Sequence, residues 1–187
     1  MPKQLFVLSA PSGGGKTTVA RHLLATFPDM KFSVSATTRA QRPGEEHGRD
    51  YFFLTKDEFA ERINQGDLLE YEVIFGNYYG TLRSEVKRIL DSGGIMIFDV
   101  DVKGALSLRT AFPEETLLMF IAPPSMDALE KRLRSRQTES AEQIALRLER
   151  AAMEMQSVEF FDEVIINDIL PVTLERAELV VREHIGA

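Results

Sequence analysis

The sequence of 187 residues contains no cysteine and no tryptophan. Without cysteine the chain can form no disulfide, no thiolate zinc site and no cysteine nucleophile, which excludes every mechanism built on thiol chemistry. Long hydrophobic runs are also missing. The apolar stretch Leu117–Ala122 ends at Pro123-Pro124 and is far shorter than the ~20 residues that a membrane span requires. We therefore expect a soluble cytoplasmic protein with no membrane partner.

Positive charge is in short supply. The chain has 22 lysine and arginine residues against 29 acidic residues, so its formal net charge is −7. Proteins that hold nucleic acid on a broad surface need that surface to be basic. We therefore expect no nucleic-acid partner, although local clusters of arginine can still bind small anions.

Short apolar runs alternate with segments of helical periodicity, which is typical of a parallel sheet covered by helices on both faces. The apolar runs are Leu5–Leu8, Ile95–Phe98, Leu117–Ile121 and Val164–Ile166. The helical segments are Lys16–Phe27, Ser84–Leu90, Ala128–Arg136, Ala141–Met155 and Val172–His184. The predicted fold class is therefore α/β, in one domain that spans residues 1–187.

Residues 33–82 interrupt this alternation. They are rich in polar residues, glycine and tyrosine, and alternation typical of short antiparallel strands occurs near Asp50–Leu54 and Leu68–Phe75. Thr55 and Glu58 have the spacing of a capping box, which predicts the start of a helix inside the segment. We interpret residues 33–82 as an inserted mixed α/β module.

A second interruption covers residues 125–150. It follows two prolines, concentrates arginine, and carries another capping box at Ser140 and Gln143. We interpret it as a mobile helical lid. The core of the domain is then predicted to comprise residues of about 1–32, 83–124 and 151–187.

The segment between the first apolar run and the first helix has the composition of a phosphate-binding loop. Its residues are Ala10, Pro11, Ser12, Gly13, Gly14, Gly15, Lys16, Thr17 and Thr18. The glycines leave backbone N–H groups free to curl around phosphate oxygens. Lys16 is placed to reach the outer phosphates of a nucleoside triphosphate, and the Thr17 hydroxyl to ligate Mg²⁺ beside the positive end of the helix. Ala10 replaces the usual first glycine and is small enough to keep the loop geometry.

Two carboxylates follow the apolar run that begins at Ile95. Asp99 and Asp101 stand where that strand ends, and in a sheet that begins with a phosphate loop an acid there faces the triphosphate and its Mg²⁺. We count both among the candidate substrate-binding residues. The alternative is that they cap a helix that follows the strand.

Two further segments are more specific than the phosphate loop. Residues 33–51 read SVSATTRAQRPGEEHGRDY, and residues 70–81 read EYEVIFGNYYGT. Together with APSGGGKTT and FDVDVKGA they closely resemble the guanylate kinase family, over essentially the whole chain. The resemblance implies a P-loop kinase core, an inserted GMP-binding module and a lid. It also implies transfer of a phosphoryl group from ATP, the donor, to GMP with Mg²⁺ as the metal.

The resemblance assigns roles to residues of the inserted module. Arg39 and Arg42, with the hydroxyls of Tyr51 and Tyr79, would form a charge-assisted clamp on the phosphate of GMP. The family's guanine contacts correspond to Ser35, Glu70, Thr81 and Asp101. Glu70 is the natural reader of the base, because one carboxylate can accept hydrogen bonds from both N1–H and N2–H of guanine.

The predicted lid carries candidate catalytic arginines. Arg132 and Arg136 are four residues apart and share a helix face, where like charges repel mildly unless an anion lies between them. By resemblance, Arg132, Arg136 and Arg147 fold over the ATP phosphates and stabilise charge in the transition state. For Arg134 and Arg150 we prefer the interpretation of an exposed helix face.

The resemblance also places Asn167 near the adenine of ATP, with a simple turn residue as the alternative. The predicted catalytic set is Lys16, Arg39, Arg132, Arg136 and Arg147. Glu45, Glu46 and Arg49 we interpret as surface charge.

Two other functions remain open from the sequence. One is a catalytically inactive guanylate-kinase-like module that binds phosphopeptides, and the presence of Lys16 and Thr17 argues against it. The other is a related P-loop kinase with a sugar-phosphate acceptor, and Glu70 and Ser35 argue for a nucleotide base instead. The sequence leaves open whether the chain forms a homo-oligomer and whether it uses dGMP as well as GMP.

Overall fold

The computed structural model describes residues 2–74, 76–135 and 140–185, and these contain nine strands and seven α-helices. The strands are β1 Leu5–Ser9, β2 Met30–Phe32, β3 Ala36–Thr37, β4 Phe52–Phe53, β5 Leu68–Ile74, β6 Asn77–Leu82, β7 Ile95–Asp99, β8 Thr116–Ala122 and β9 Glu163–Ile166. The helices are α1 Lys16–Thr26, α2 Lys56–Asn64, α3 Arg83–Asp91, α4 Val102–Ala111, α5 Met126–Ser135, α6 Ala141–Met155 and α7 Leu170–Ile185. None of these helices is long and apolar enough to cross a membrane.

The central sheet is parallel, as the alternation of strands and helices predicted. Its strand order is β2-β7-β1-β8-β9. All five residues of β1 are buried, because the strand has a neighbour on each edge and helices over both faces. Leu8 near the end of β1 pairs with Asp99 on β7. The phosphate loop and the aspartates therefore both follow the carboxyl ends of neighbouring parallel strands.

Alternate residues of β1 face two hydrophobic cores. Phe6 points into the core built with α1 and α7, where Leu23 and Val180 are fully buried. Leu5 points into the opposite core, which contains Val86 of α3 and other fully buried side chains. Full burial of such a side chain contributes about 1.5–3 kcal/mol. The two cores fix the end of β1, and with it the start of the loop.

A second sheet of four strands has the order β4-β3-β6-β5. β5 and β6 are antiparallel neighbours, and β3 pairs antiparallel with β6. β4, in the segment expected to be antiparallel, instead pairs parallel with β3. Helix α2 begins at the predicted capping box of Thr55 and Glu58, and its buried Phe59 packs on the sheet. The parallel pairing arises because the residues between β3 and β4 return the chain to the same end of the sheet.

Helix α4 was not predicted. Its N-cap is Asp101, whose carboxylate accepts a 2.8 Å hydrogen bond from the backbone N–H of Gly104. Glycine inside a helix costs about 1 kcal/mol relative to alanine, which weakens the helical signal here. A Cβ at Gly104 would lie 3.2 Å from the Cβ of Val100 and 3.4 Å from the Cγ of Glu70. The glycine thus lets α4 approach β5 closely.

Candidate functional site

The segment Ala10–Thr18 forms a tight loop between β1 and α1. Gly13 and Gly15 have φ of 91° and 96°, in the left-handed region that favours glycine. Gly15 is the N-cap of α1, and no side chain caps the helix. The first N–H groups of α1 are therefore available to an anion at the positive end of the helix dipole. All nine loop residues line a cavity of about 440 Å³.

Asn167 holds the phosphate-binding loop in place through a side-chain hydrogen bond. Its buried side chain donates a 2.7 Å hydrogen bond to the backbone oxygen of Gly14 and accepts one from the Thr173 hydroxyl. A Cβ at Gly15 would lie 2.2 Å from the Asn167 amide nitrogen. Both polar ends of Asn167 are thus engaged by protein groups, and its position right after β9 makes it a positioning residue for the loop.

Lys16, Thr17 and Asp99 meet at the start of α1. The Lys16 ammonium lies 2.8 Å from one Asp99 oxygen and donates a 2.8 Å bond to the backbone oxygen of Val100. The Thr17 hydroxyl donates a 2.9 Å bond to the other Asp99 oxygen. The pairing of β1 with β7 places these groups together, so one carboxylate holds both the lysine and the hydroxyl.

This cluster has the donor chemistry that Mg²⁺ prefers. Mg²⁺ takes oxygen ligands and is usually held by one or two protein groups plus phosphates and water. The Thr17 hydroxyl and the Asp99 carboxylate supply two such oxygens, 2.9 Å apart, beside the phosphate loop. No larger group of acidic or histidine side chains that could hold a metal occurs in the described ranges.

A second cavity of about 230 Å³ adjoins the loop. The candidate residues that line it are Lys16, Ser35, Glu70, Tyr79, Asp99 and Asp101. Glu72, which the sequence did not single out, lines it as well. Because β5 and β6 pair Glu70 with Thr81, the buried Thr81 hydroxyl donates a 2.7 Å bond to the Glu70 carboxylate from behind. The cavity therefore presents a carboxylate in a fixed orientation.

The electrostatics of this cavity are unusual for a carboxylate site. Burial raises the pKa of Glu70, and the nearby charges of Asp101 and Glu72 raise it further, while the hydrogen bond from Thr81 opposes the shift. Burial and like charges disfavour the ionised form of Glu70, and a ligand that donates hydrogen bonds to the carboxylate would stabilise that form. The cavity thus presents a carboxylate that can accept hydrogen bonds from a bound group.

The predicted phosphate clamp lies at the edge of the same module. Arg39 is ion-paired to Glu45 at 2.7 Å and donates to the backbone oxygen of Ala40, and its guanidinium lies 5.3 Å from the centre of the Tyr51 ring. The Tyr51 ring in turn packs edge-on against Tyr79. Glu45, interpreted as surface charge, is half-buried and orients Arg39, and the hydrogen bond from the arginine holds the pKa of Glu45 below its usual value.

Arg42 is exposed, and its backbone N–H donates a 2.8 Å bond to the second Glu45 oxygen. One carboxylate thus braces the segment that carries both arginines. Arg49, by contrast, forms ion pairs with two exposed neighbours, Glu46 and Asp50, and donates to the backbone oxygen of Gly44, as expected for surface charge.

Two of the three predicted lid arginines lie against the phosphate-loop region. Arg132 donates a 2.7 Å bond to the backbone oxygen of Asn167, and Arg147 donates a 3.0 Å bond to the Ser12 hydroxyl. The third, Arg136, lies outside the described residues. Arg134 instead pairs with Glu130 one turn away on α5.

Two charged residues of α6 were missed. Arg150, interpreted as part of an exposed face, lines the loop cavity together with Glu154. Its guanidinium donates a 2.9 Å bond to Glu154 and lies 3.6 Å from Asp101. Asp101 thus combines the capping role considered as an alternative with a place in both cavities. No local signal identifies Arg150, because Asp101 lies on another helix.

Comparison with known proteins agrees with this geometry. The family model described as guanylate kinase matches residues 2–184. The chain is 49% identical over 183 residues to guanylate kinase of Chlorobium luteolum, covering 98% of this chain and 93% of that protein. It is 46% identical over 186 residues to guanylate kinase of Salinibacter ruber, covering 99% and 98%.

A solved structure shows the same likeness in three dimensions. The crystal structure of guanylate kinase from Anaplasma phagocytophilum matches with a TM-score of 0.72 and 34% sequence identity. The match covers 100% of this chain and 88% of that chain. The parallel sheet, the second sheet and the helices described above are therefore similar to those of a known P-loop kinase.

Proposed function

Because the chain belongs to the guanylate kinase family, we propose that it transfers the γ-phosphoryl group of ATP to GMP, giving ADP and GDP. One observation carries the assignment of this reaction to the site. Lys16, Asp99 and Asp101 line both the loop cavity and the smaller cavity beside it. A donor triphosphate and an acceptor nucleotide bound in the two cavities would therefore meet at these three side chains.

The smaller cavity is the proposed GMP site. The Glu70 carboxylate, fixed by Thr81, would accept hydrogen bonds from N1–H and N2–H of guanine, with Ser35 and Asp101 beside it. Arg39 and Arg42, with the tyrosine hydroxyls at positions 51 and 79, would hold the phosphate. Arg39 is already oriented by Glu45, so little of its conformational freedom remains to be lost on binding.

The loop cavity is the proposed ATP site. Backbone N–H groups of Gly13–Thr18 and the Lys16 ammonium would surround the β- and γ-phosphates. Thr17 and Asp99 would hold Mg²⁺, which when bound neutralises charge on those phosphates. Arg132 and Arg147 already contact Asn167 and Ser12 at this site.

The protein's part in this reaction is alignment and charge stabilisation. A phosphate oxygen of GMP would attack the γ-phosphorus in line, so no enzyme nucleophile is required. Lys16 and the lid arginines 132, 136 and 147 would stabilise the charge that spreads over the transferred group. Closure of the lid and the inserted module, residues 125–150 and 33–82, would exclude water and limit hydrolysis of ATP.

A coupled assay of ADP release tests this proposal. The purified chain with ATP and Mg²⁺ is offered AMP, CMP, UMP, GMP and dGMP in turn. We expect rapid ADP release with GMP and very little with AMP, because adenine presents an acceptor at N1 where Glu70 needs a donor. Equal use of GMP and AMP would overturn the acceptor assignment, and no release with any nucleotide would overturn the activity.

Neither alternative function has support. The relatives described above are named guanylate kinase, and the residues that a phosphopeptide-binding module could lose, Lys16 and Thr17, here form a complete cluster with Asp99. A sugar-phosphate acceptor would not explain a partly buried carboxylate that accepts a hydrogen bond from Thr81 and lines the smaller cavity.

A further inference from the structure

Arg150 connects α6 to the acceptor side of the site. One end of its guanidinium donates a 2.9 Å bond to Glu154 on the same helix. The other end lies 3.6 Å from Asp101, the N-cap of α4. Glu154 is itself a largely buried carboxylate, with a side chain 13% exposed. The arginine is therefore anchored on α6 and aimed at α4.

Asp101 has a separate partner for each oxygen. One oxygen accepts the 2.8 Å capping bond from the Gly104 N–H, and the other faces Arg150. The cap holds one oxygen against the helix, and the ion pair with Arg150 helps to fix the direction of the second. That second oxygen belongs to a residue lining the proposed GMP cavity.

The proposed GMP cavity is lined by several carboxylates, whose negative charges repel one another. Glu70, Glu72 and Asp101 line it together, and the proposed acceptor adds a phosphate dianion nearby. Lys16 also faces the cavity, but its ammonium is already 2.8 Å from Asp99. The hydrogen bond to Glu154 is the main cause that raises the pKa of the Arg150 guanidinium, and the charges of Asp101 and Glu72 raise it further.

We propose that Arg150 is a positioning residue for GMP: it orients the free oxygen of Asp101 and offsets the negative charge of the acceptor cavity. The inference rests on the proposed function, because it names a residue that serves the same acceptor site. Arg150 acts through Asp101 and need not touch the nucleotide. The ion pair between Arg150 and Asp101 also connects α6, which carries Arg147, to the lining of the acceptor cavity. Binding of the acceptor and the position of the lid therefore both depend on this ion pair.

Arg134 provides a matched control. Like Arg150 it is an exposed arginine on a lid helix, with side chains 55% and 58% exposed respectively, and it pairs with a glutamate four residues away. Among the residues that the structure describes, Arg134 contacts Glu130 rather than Asp101 and lines neither cavity. Alanine favours helix at both positions, so neither substitution should impair folding.

The test compares Arg150→Ala, Arg150→Lys and Arg134→Ala in the ADP-release assay, with calorimetric titration of GMP in the absence of ATP. We expect Arg150→Ala to raise both KM and Kd for GMP by about two- to fivefold, the upper part of the range for one exposed ion pair. The kcat and the KM for ATP should change less than twofold. Arg150→Lys should recover part of the loss, and Arg134→Ala should behave as wild type.

A double-mutant cycle with Asp101→Asn isolates the pathway of the effect. If Arg150 acts through Asp101, removing the arginine from the Asp101→Asn variant should change the Kd for GMP less than it does in wild type. An unchanged Kd in Arg150→Ala, an effect confined to the KM for ATP, or full additivity in the cycle would each overturn the inference. An inactive wild-type protein would instead refute the proposed function.

Discussion

Replacing Glu70 by glutamine separates recognition of guanine from stability of the fold. The substitution keeps the shape of the side chain and can keep the 2.7 Å bond from the Thr81 hydroxyl. It removes the negative charge and turns one acceptor oxygen into an amide donor. The arginine clamp on the phosphate is untouched, so the loss should be specific to the base.

The size of the effect follows from the hydrogen bonds at stake. A hydrogen bond to a charged group contributes about 1.5–3 kcal/mol, and a buried donor left without a partner costs about 1–3 kcal/mol. When glutamine faces the N–H groups of guanine, the hydrogen bond to a charged acceptor is lost and the amide N–H is left as a donor without a partner. The sum of about 2.5–6 kcal/mol predicts that kcat/KM for GMP falls by roughly 10²- to 10⁴-fold. Discrimination against AMP should shrink, since the amide can donate to N1 of adenine.

The same substitution should stabilise the free protein. Burial, with the charges of Asp101 and Glu72, raises the pKa of Glu70 in the fold above its ordinary value. The folded state therefore binds this proton more tightly than the unfolded chain does. The stability that the group contributes is fully present below its unfolded pKa, about 4.3, and is lost as pH rises through the folded pKa. At pH 7.5 the ionised carboxylate is a cost, and glutamine removes it.

The assay measures kcat/KM for GMP and AMP and the Tm at pH 7.5 and pH 4. We expect activity to fall and Tm at pH 7.5 to rise, with the difference in Tm narrowing at pH 4. Glu72→Gln is the control, because Glu72 lines the same cavity but is exposed, and it should change both quantities less. Unimpaired turnover of GMP by Glu70→Gln would refute the role in base reading, and a lower Tm would refute the electrostatic argument.

Three further substitutions test the donor side. Lys16→Met should keep its Tm and lose most of its kcat, and near-wild-type kcat would show that the loop is not catalytic. Arg147→Ala, which loses the 3.0 Å bond to Ser12, should lower kcat more than it raises KM for GMP, and a change confined to that KM would remove it from the ATP site. Asn167→Ala leaves the backbone oxygen of Gly14 without its 2.7 Å hydrogen-bond donor, so the KM for ATP should rise. The free energy of unfolding, measured by urea denaturation, should fall by about 1–3 kcal/mol. Unchanged values of both would contradict the supporting role of Asn167.

The phosphate loop could be predicted from the sequence because its chemistry is local. Residues 10–18 contain the glycines, the lysine and the hydroxyl, and the strand and helix on either side follow from short-range patterns. The position of Asp99 was also predictable, since parallel strands that begin a domain of this kind end at one edge of the sheet. These parts of the site needed no knowledge of distant contacts.

The environment of the other residues could not be predicted in this way. Local patterns indicate surface charge at Glu45, although its side chain faces Arg39 across a turn whose path the sequence does not define. Asn167 was assigned to the nucleotide or to a turn, and the structure shows it bonded to Gly14, 153 residues earlier in the chain. The contact of Asn167 with Gly14 depends on how β8 and β9 pair, which local patterns do not specify.

The pair Arg134 and Arg150 shows where sequence reasoning reaches its limit. Each arginine is exposed, each lies on a helix of the predicted lid, and each binds a glutamate four residues away. Local rules assign both to a solvated face worth a few tenths of a kcal/mol. The two arginines differ because Asp101, the N-cap of α4, lies beside Arg150. The sequence pattern did not predict α4, because the helix contains Gly104. The proposed contribution of Arg150 to the acceptor site therefore depends on Asp101, the cap of α4, as well as on Glu154 of its own helix. A substitution that weakens this cap should weaken GMP binding even with Arg150 intact.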